Sequence, residues 1–125
     1  MTEGMIKSLI EDTLAIPVFF GSETIKYPGA TLEMQSISPV IFGDGKVKRR
    51  AYTVYINLWY TNKADRDTAT ASLMEALDGT DGVTAPEIDT YYDTTAKKWR
   101  SVFEFNTIVT APDESEPEPE PDTEP

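Results

Sequence analysis

Between residues 52 and 60, Tyr52, Val54, Ile56, Leu58 and Tyr60 alternate with Thr53, Tyr55, Asn57 and Trp59. A period of two sends successive side chains to opposite faces of a strand, and no helix satisfies it. The same reading predicts the rest of the chain. Residues 2–14 place Met5, Ile6, Leu9, Ile10 and Leu14 at helical spacing, with Thr2 available as N-cap. Residues 16–20 (IPVFF) read as a short buried strand with Pro17 near its start and Gly21 at its end, and residues 21–29 as a loop. In residues 31–37, Leu32 and Met34 alternate with Glu33 and Gln35. That strand should continue through residues 40–42, beyond an irregularity at Pro39. Gly43-Asp44-Gly45 suits a tight turn, so residues 46–60 should fold back antiparallel.

Asn62 can cap a second helix that carries Ala69, Leu73, Ala76 and Leu77 on one face, with Met74 beside them, and stops at Gly79. After a loop over residues 79–86, residues 87–92 and 98–109 read as a second hairpin, with Trp99, Phe103, Phe105 and Val109 sharing one face of the last strand. The order α-β-β-β-α-β-β predicts an α+β domain: a single mostly antiparallel sheet with two helices packed on one face.

The final fourteen residues, PDESEPEPEPDTEP, hold five prolines, seven acids and no large apolar side chain. Such a segment cannot bury enough apolar surface to offset its ordering entropy, so the folding unit is expected over residues 1–111, with 112–125 a disordered acidic tail. The formal charge of −11 is concentrated there, and residues 1–111 carry only −4. A mildly acidic domain argues against a generic nucleic-acid binder, although not against a protein that lets DNA slide past.

With no cysteine and no histidine, disulfides, thiolate nucleophiles, the usual general base and the commonest transition-metal ligands are all missing. No cofactor or metal site is expected. The sequence has no apolar run long enough to span a membrane and no basic-then-apolar start, so a location in the cytoplasm of the producing cell is the expectation.

The chemical signals are few. Asp65 and Asp67 bracket Arg66 at the start of the second helix, but residues two apart on a helix face different ways, and acids in a first turn are ordinary dipole partners. Asp78-Gly79-Thr80-Asp81-Gly82 resembles a fragment of a calcium loop without its remaining oxygen ligands, and reads as a turn. No phosphate-cradling or nucleophile-elbow motif occurs, and an enzyme is not expected.

Two signals point instead to partners. Lys46, Lys48, Arg49 and Arg50 form the one basic cluster, suited to phosphate or to an acidic patch on a neighbouring subunit; a solvated hairpin end that discourages aggregation is the alternative. Tyr55 and Trp59 fall on the face of the long strand opposite the core. There they either mark a contact surface in an oligomer or are covered within the monomer by loops or the first helix.

The succession of these elements carries a resemblance. A helix leading into IPVFFG, the alternating strand AYTVYINLWY, the linker and helix TNKADRDTATASLMEALDG and a closing aromatic hairpin together look like the tail terminator, or tail completion, proteins of long-tailed bacteriophages and prophages. The similarity spans residues 1 to about 110 and leaves out the acidic tail.

It implies a non-enzymatic virion protein, made in the host cytoplasm, that forms a ring of six copies on the tail tube. Such a ring stops tube elongation, and the DNA-filled head docks onto it through a head-completion or neck protein. DNA passes through the channel without specific binding, and no membrane is involved. Lys46, Lys48, Arg49, Arg50, Tyr55 and Trp59 are then the candidate subunit or partner contacts. Another head–tail connector or minor capsid protein shares these features, and a small ligand-binding domain would require a deep polar pocket.

Overall fold

Thr2 and Asn62 start the two helices. In the computed structural model, which describes residues 1–21, 23–42 and 46–110, α1 runs over Glu3–Leu14 and α2 over Lys63–Asp78. The side chains of residues 37–42, 46–49 and 110 are outside that description, as are the expected turn at residues 43–45 and the acidic segment 112–125. Each cap accepts a backbone N–H of the first turn: Met5 donates to Thr2 Oγ1 at 3.2 Å, and Asp65 donates to Asn62 Oδ1 at 2.8 Å. Ala15 ends α1 in the left-handed region at φ 55°, and Gly79 caps α2.

Five strands form one mixed sheet: β1 (Val18–Phe19), β2 (Gly29–Phe42), β3 (Lys46–Tyr60), β4 (Glu87–Asp93) and β5 (Lys98–Thr110). Their spatial order is β1-β2-β3-β5-β4, with β1 parallel to β2 and every other pair antiparallel. The α+β class and the element order follow the sequence. The β2 irregularity does not fall at Pro39, which pairs with Arg50; the register shifts lie between Ser36 and Ser38 and between Val40 and Ile41. The extra residue at position 37 thus acts as a bulge that bends the strand ahead of the proline.

One face of the sheet is buried. Val54, Ile56 and Leu58 of β3 are fully buried, Tyr60 nearly so, as are Phe103 and Phe105 of β5 and Ala30 and Leu32 of β2. Ile6 and Ile10 of α1 and Ala69, Leu73 and Leu77 of α2 complete this core. Both helices therefore lie over the same side, α2 against β3 and β5, and α1 against α2, β1 and β2. Met5 departs from the expected apolar face of α1: it is 54% exposed, while Leu9 and Leu14 pack at the core margin. Two uncharged polar side chains among the described residues enter the core with partners. Ser101 Oγ lies 2.7 Å from Thr70 Oγ1, and Thr107 Oγ1 donates to the Gly82 carbonyl.

Candidate functional site

The sheet face turned away from the helices is polar. Strand parity places Thr31, Glu33 and Gln35 of β2 there, with Thr53, Tyr55 and Asn57 of β3, Val102, Glu104 and Asn106 of β5, and Glu87, Asp89 and Tyr91 of β4. Pairing lines up Glu33, Tyr55, Glu104 and Glu87 as one row across four strands. Glu33, Glu87, Asp89 and Glu104 are all exposed, and Glu87 stands directly opposite Glu104. Like charges in direct opposition destabilise a strand pair. Among the described residues, no cation reaches these four carboxylates within ion-pair distance; Glu33 only accepts from Gln35 Nε2 at 2.9 Å.

The basic cluster lies at the far end of β3. Lys46 pairs with Phe42, Arg49 with Val40 and Thr110, and Arg50 with Pro39 and Val109. The side chains of Lys46, Lys48 and Arg49 are outside the described residues, whereas Arg50 Nη1 donates to Ser36 Oγ at 3.4 Å. Five residues separate Arg50 from Tyr55 in the carboxylate row, roughly 17 Å along an extended strand. That exceeds the Debye length of about 8–10 Å at ordinary ionic strength, so the backbone of the cluster and that of the carboxylate row lie more than a screening length apart.

Trp59 and Tyr55 part company on this face. Tyr55 remains half-exposed in the carboxylate row, but Trp59 is only 9% exposed. The monomer itself covers its indole: the Arg100 guanidinium lies 4.2 Å from the ring centre, and Tyr27 from the loop before β2 meets it edge-on at 6.1 Å. Loop coverage, one of the two alternatives left open by the sequence, therefore accounts for Trp59. Gly29 permits the loop to fold back so closely, since a Cβ there would overlap the Lys26 carbonyl oxygen and press on the Phe19 ring. Trp59 Nε1 is buried without a hydrogen-bond partner among the described residues. Beside it runs an open groove of about 500 Å³, lined by Phe19, Ile25, Glu23, Glu33 and Asn57 among others.

Two arginines organise this end of the molecule: Arg66, which the sequence offers only as the residue between two acids, and Arg100, which it does not single out. Arg100 donates from Nε and Nη2 to Asn57 Oδ1 at 3.0 and 2.6 Å and from Nη1 to Asp93 Oδ2 at 3.1 Å, with the Tyr91 ring 5.4 Å away. Arg66 on α2 is 4% exposed. Its Nε donates to Asp67 Oδ1 at 2.8 Å and its Nη1 to the carbonyls of Arg100 and Tyr91 at 3.1 and 3.5 Å, with Trp99 5.6 Å from the guanidinium. The available signal was a single arginine inside an aromatic strand and another between two helix carboxylates; both patterns suit a planar cation that needs acceptors and rings.

The shifted titrations have local causes. The Asp93 carboxyl is held low chiefly by the Ala96 N–H, then by Arg100 and the Thr95 N–H, and Asp67 is held low by Lys63 and then Arg66. Burial raises the Tyr60 hydroxyl, with Asp65 adding to it. The Asp65–Asp67 pair thus serves the cap and two cations. The turn at residues 78–82 includes Thr80 Oγ1 donating to the Ala76 carbonyl. No group of three or more Asp, Glu, His or Cys among the described residues could hold a metal ion, and no described helix is long and apolar enough to cross a membrane.

A scan against protein-family models finds no match, and no curated protein matches the chain.

Proposed function

We propose that this chain is a non-enzymatic virion assembly subunit of the tail-terminator kind: it forms a ring on the end of a phage tail tube, stops tube elongation and presents the docking surface for the DNA-filled head. The observation that carries this reading is the separation of charge within one small domain. An open sheet face holds four carboxylates without an ion-pair partner among the described residues, and the strand end beyond it holds four basic residues. A subunit that repeats the same contact around a ring needs two different, complementary surfaces, because a heterologous contact is what generates a closed ring. The sequence resemblance supports the same reading. The mild negative charge of residues 1–111 suits a channel through which DNA must pass without sticking. The partners are further copies of the chain, a tail tube protein and a head-completion or neck protein, and the finished site is the neck of the virion.

Reversing Lys48, Arg49 and Arg50 to Glu in a phage that depends on this protein tests the proposal. The expected result is filled heads without attached tails, alongside tails of abnormal and variable length. Tails of correct length that merely fail to join would assign the chain to another neck factor, and normal infectious particles would remove the basic cluster from assembly.

A further inference from the structure

From the open face and the basic strand end we infer a specific docking mode, which rests on the ring-forming reading above: the basic segment at Lys48, Arg49 and Arg50 of one copy seats on the carboxylate face formed by Glu33, Glu87, Asp89 and Glu104 of the next.

The face is built against its own stability. Glu87 and Glu104 oppose each other directly across β4 and β5, and the row continues through Tyr55 to Glu33 with no cation among the described residues to neutralise it. Mixed signs or neutral polar side chains would solvate an idle sheet face at less cost. Of the eleven basic residues, four fall between positions 46 and 50, and two others, Arg66 and Arg100, are engaged by Asp67 and by Asp93. Lys7 and Lys63 pair within their own helices, and Lys46, Lys48, Arg49 and Arg50 are the densest run of positive charge in the chain, a complement to the face whose backbone lies more than a screening length along β3 from it.

Charge also selects the geometry. Face against face sets carboxylates against carboxylates, and strand end against strand end sets cations against cations, so both two-fold arrangements are repelled. Only the head-to-tail contact is attractive, and that contact propagates to a ring when its rotation closes. Tyr55, half-exposed in the middle of the row, supplies the apolar centre that such a patch needs.

Reciprocal charge reversal tests the contact. One variant carries Glu87→Lys and Glu104→Lys; the other carries Lys48→Glu, Arg49→Glu and Arg50→Glu. Mass in solution is measured for each alone and for an equimolar mixture, at low and high salt, with circular dichroism and unfolding midpoints as folding controls. The wild type should associate, and more weakly at high salt. Each variant alone should fall to the 13.9 kDa of a single chain, a loss of at least about 100-fold in association. The mixture should regain the wild-type mass, because each altered surface then meets its complement.

If the doubly reversed face fails to fold, Glu87→Gln with Glu104→Gln removes the charge at constant shape and should weaken association. Wild-type association that survives either reversal, or variants that stay single when mixed, would overturn the docking mode while leaving ring formation standing. A wild type that remains a single chain at every concentration would overturn both.

Discussion

Trp59 pairs directly with Arg100 across β3 and β5, and the guanidinium lies 4.2 Å from the centre of the indole ring. The arginine is held over the ring by Asn57 on one side and Asp93 on the other, so one cation ties together the middle of the sheet, the β4–β5 turn and the loop that covers Trp59. Replacement of Arg100 by Ala should lower stability by about 1–3 kcal/mol, the scale of a stacked cation with charge-assisted hydrogen bonds at a partly exposed site. Arg100→Lys should recover only part of this, because an ammonium lacks the planar fork. Denaturant unfolding gives the cost, and a red shift of tryptophan emission in the folded variants would report the uncovered indole. An unchanged midpoint and spectrum would show that the stack contributes nothing.

The Asp93 carboxyl is held below its ordinary value of 3.8, first by the Ala96 N–H and then by Arg100 and the Thr95 N–H. A carboxyl whose folded value is depressed contributes stability that is present above its unfolded value and is lost as pH falls through the folded one. Wild-type protein should therefore lose stability on acidification below about pH 4, and Asp93→Asn should show a flatter acid limb with lower stability at neutral pH. Unfolding midpoints measured between pH 2 and 7 on both proteins decide this, and parallel profiles would assign the acid sensitivity elsewhere.

Neighbouring positions on β3 should respond oppositely to the same new charge. Ile56 is fully buried at the centre of the core, so Ile56→Asp places an unpaired carboxylate there and should abolish soluble expression. Asn57 faces the open side and already accepts from two Arg100 nitrogens, so Asn57→Asp should fold with equal or slightly higher stability. Soluble yield and thermal midpoints test the pair, and equal behaviour of the two would mean that the strand register is different.

Arg66 brings α2 to the ends of β4 and β5 through the carbonyls of Tyr91 and Arg100. Arg66→Met keeps much of the buried volume but strips those acceptors of their donor, which should cost about 1–3 kcal/mol. Amide hydrogen exchange should show the loss concentrated in α2 and the β4–β5 hairpin. Uniform destabilisation across the molecule would argue against a local tether.

Local pattern made most of the fold legible in the sequence. Period-two alternation located β3, and Thr2 and Asn62 announced the helix starts because a cap is a relation between residues three apart. Relations between distant segments were not legible. Nothing in two hairpins states that β5 inserts between β3 and β4, or that β1 runs parallel to β2. Tyr27 reaches Trp59 from thirty-two positions away, and the cradle of Arg66 is assembled from α2, β4 and β5. The polar character of the open face was hidden for a related reason. Tyr55 and Trp59 dominate the odd positions of β3 when that strand is read alone, whereas its neighbours contribute Glu33, Glu104 and Glu87 to the same surface.

Strand β5 lies between β3 and β4 in space but comes after both in the chain. During synthesis the β2–β3 hairpin, both helices and β4 all leave the ribosome before the strand that unites them exists, and Phe103 and Phe105 enter the core last of all. Completion is thereby deferred until β5 has been made, as long-range pairing imposes on any such topology. A product cut short before residue 98 lacks Phe103 and Phe105 of the core and leaves an edge of β3 bare, a substrate for aggregation and proteolysis rather than a smaller working subunit.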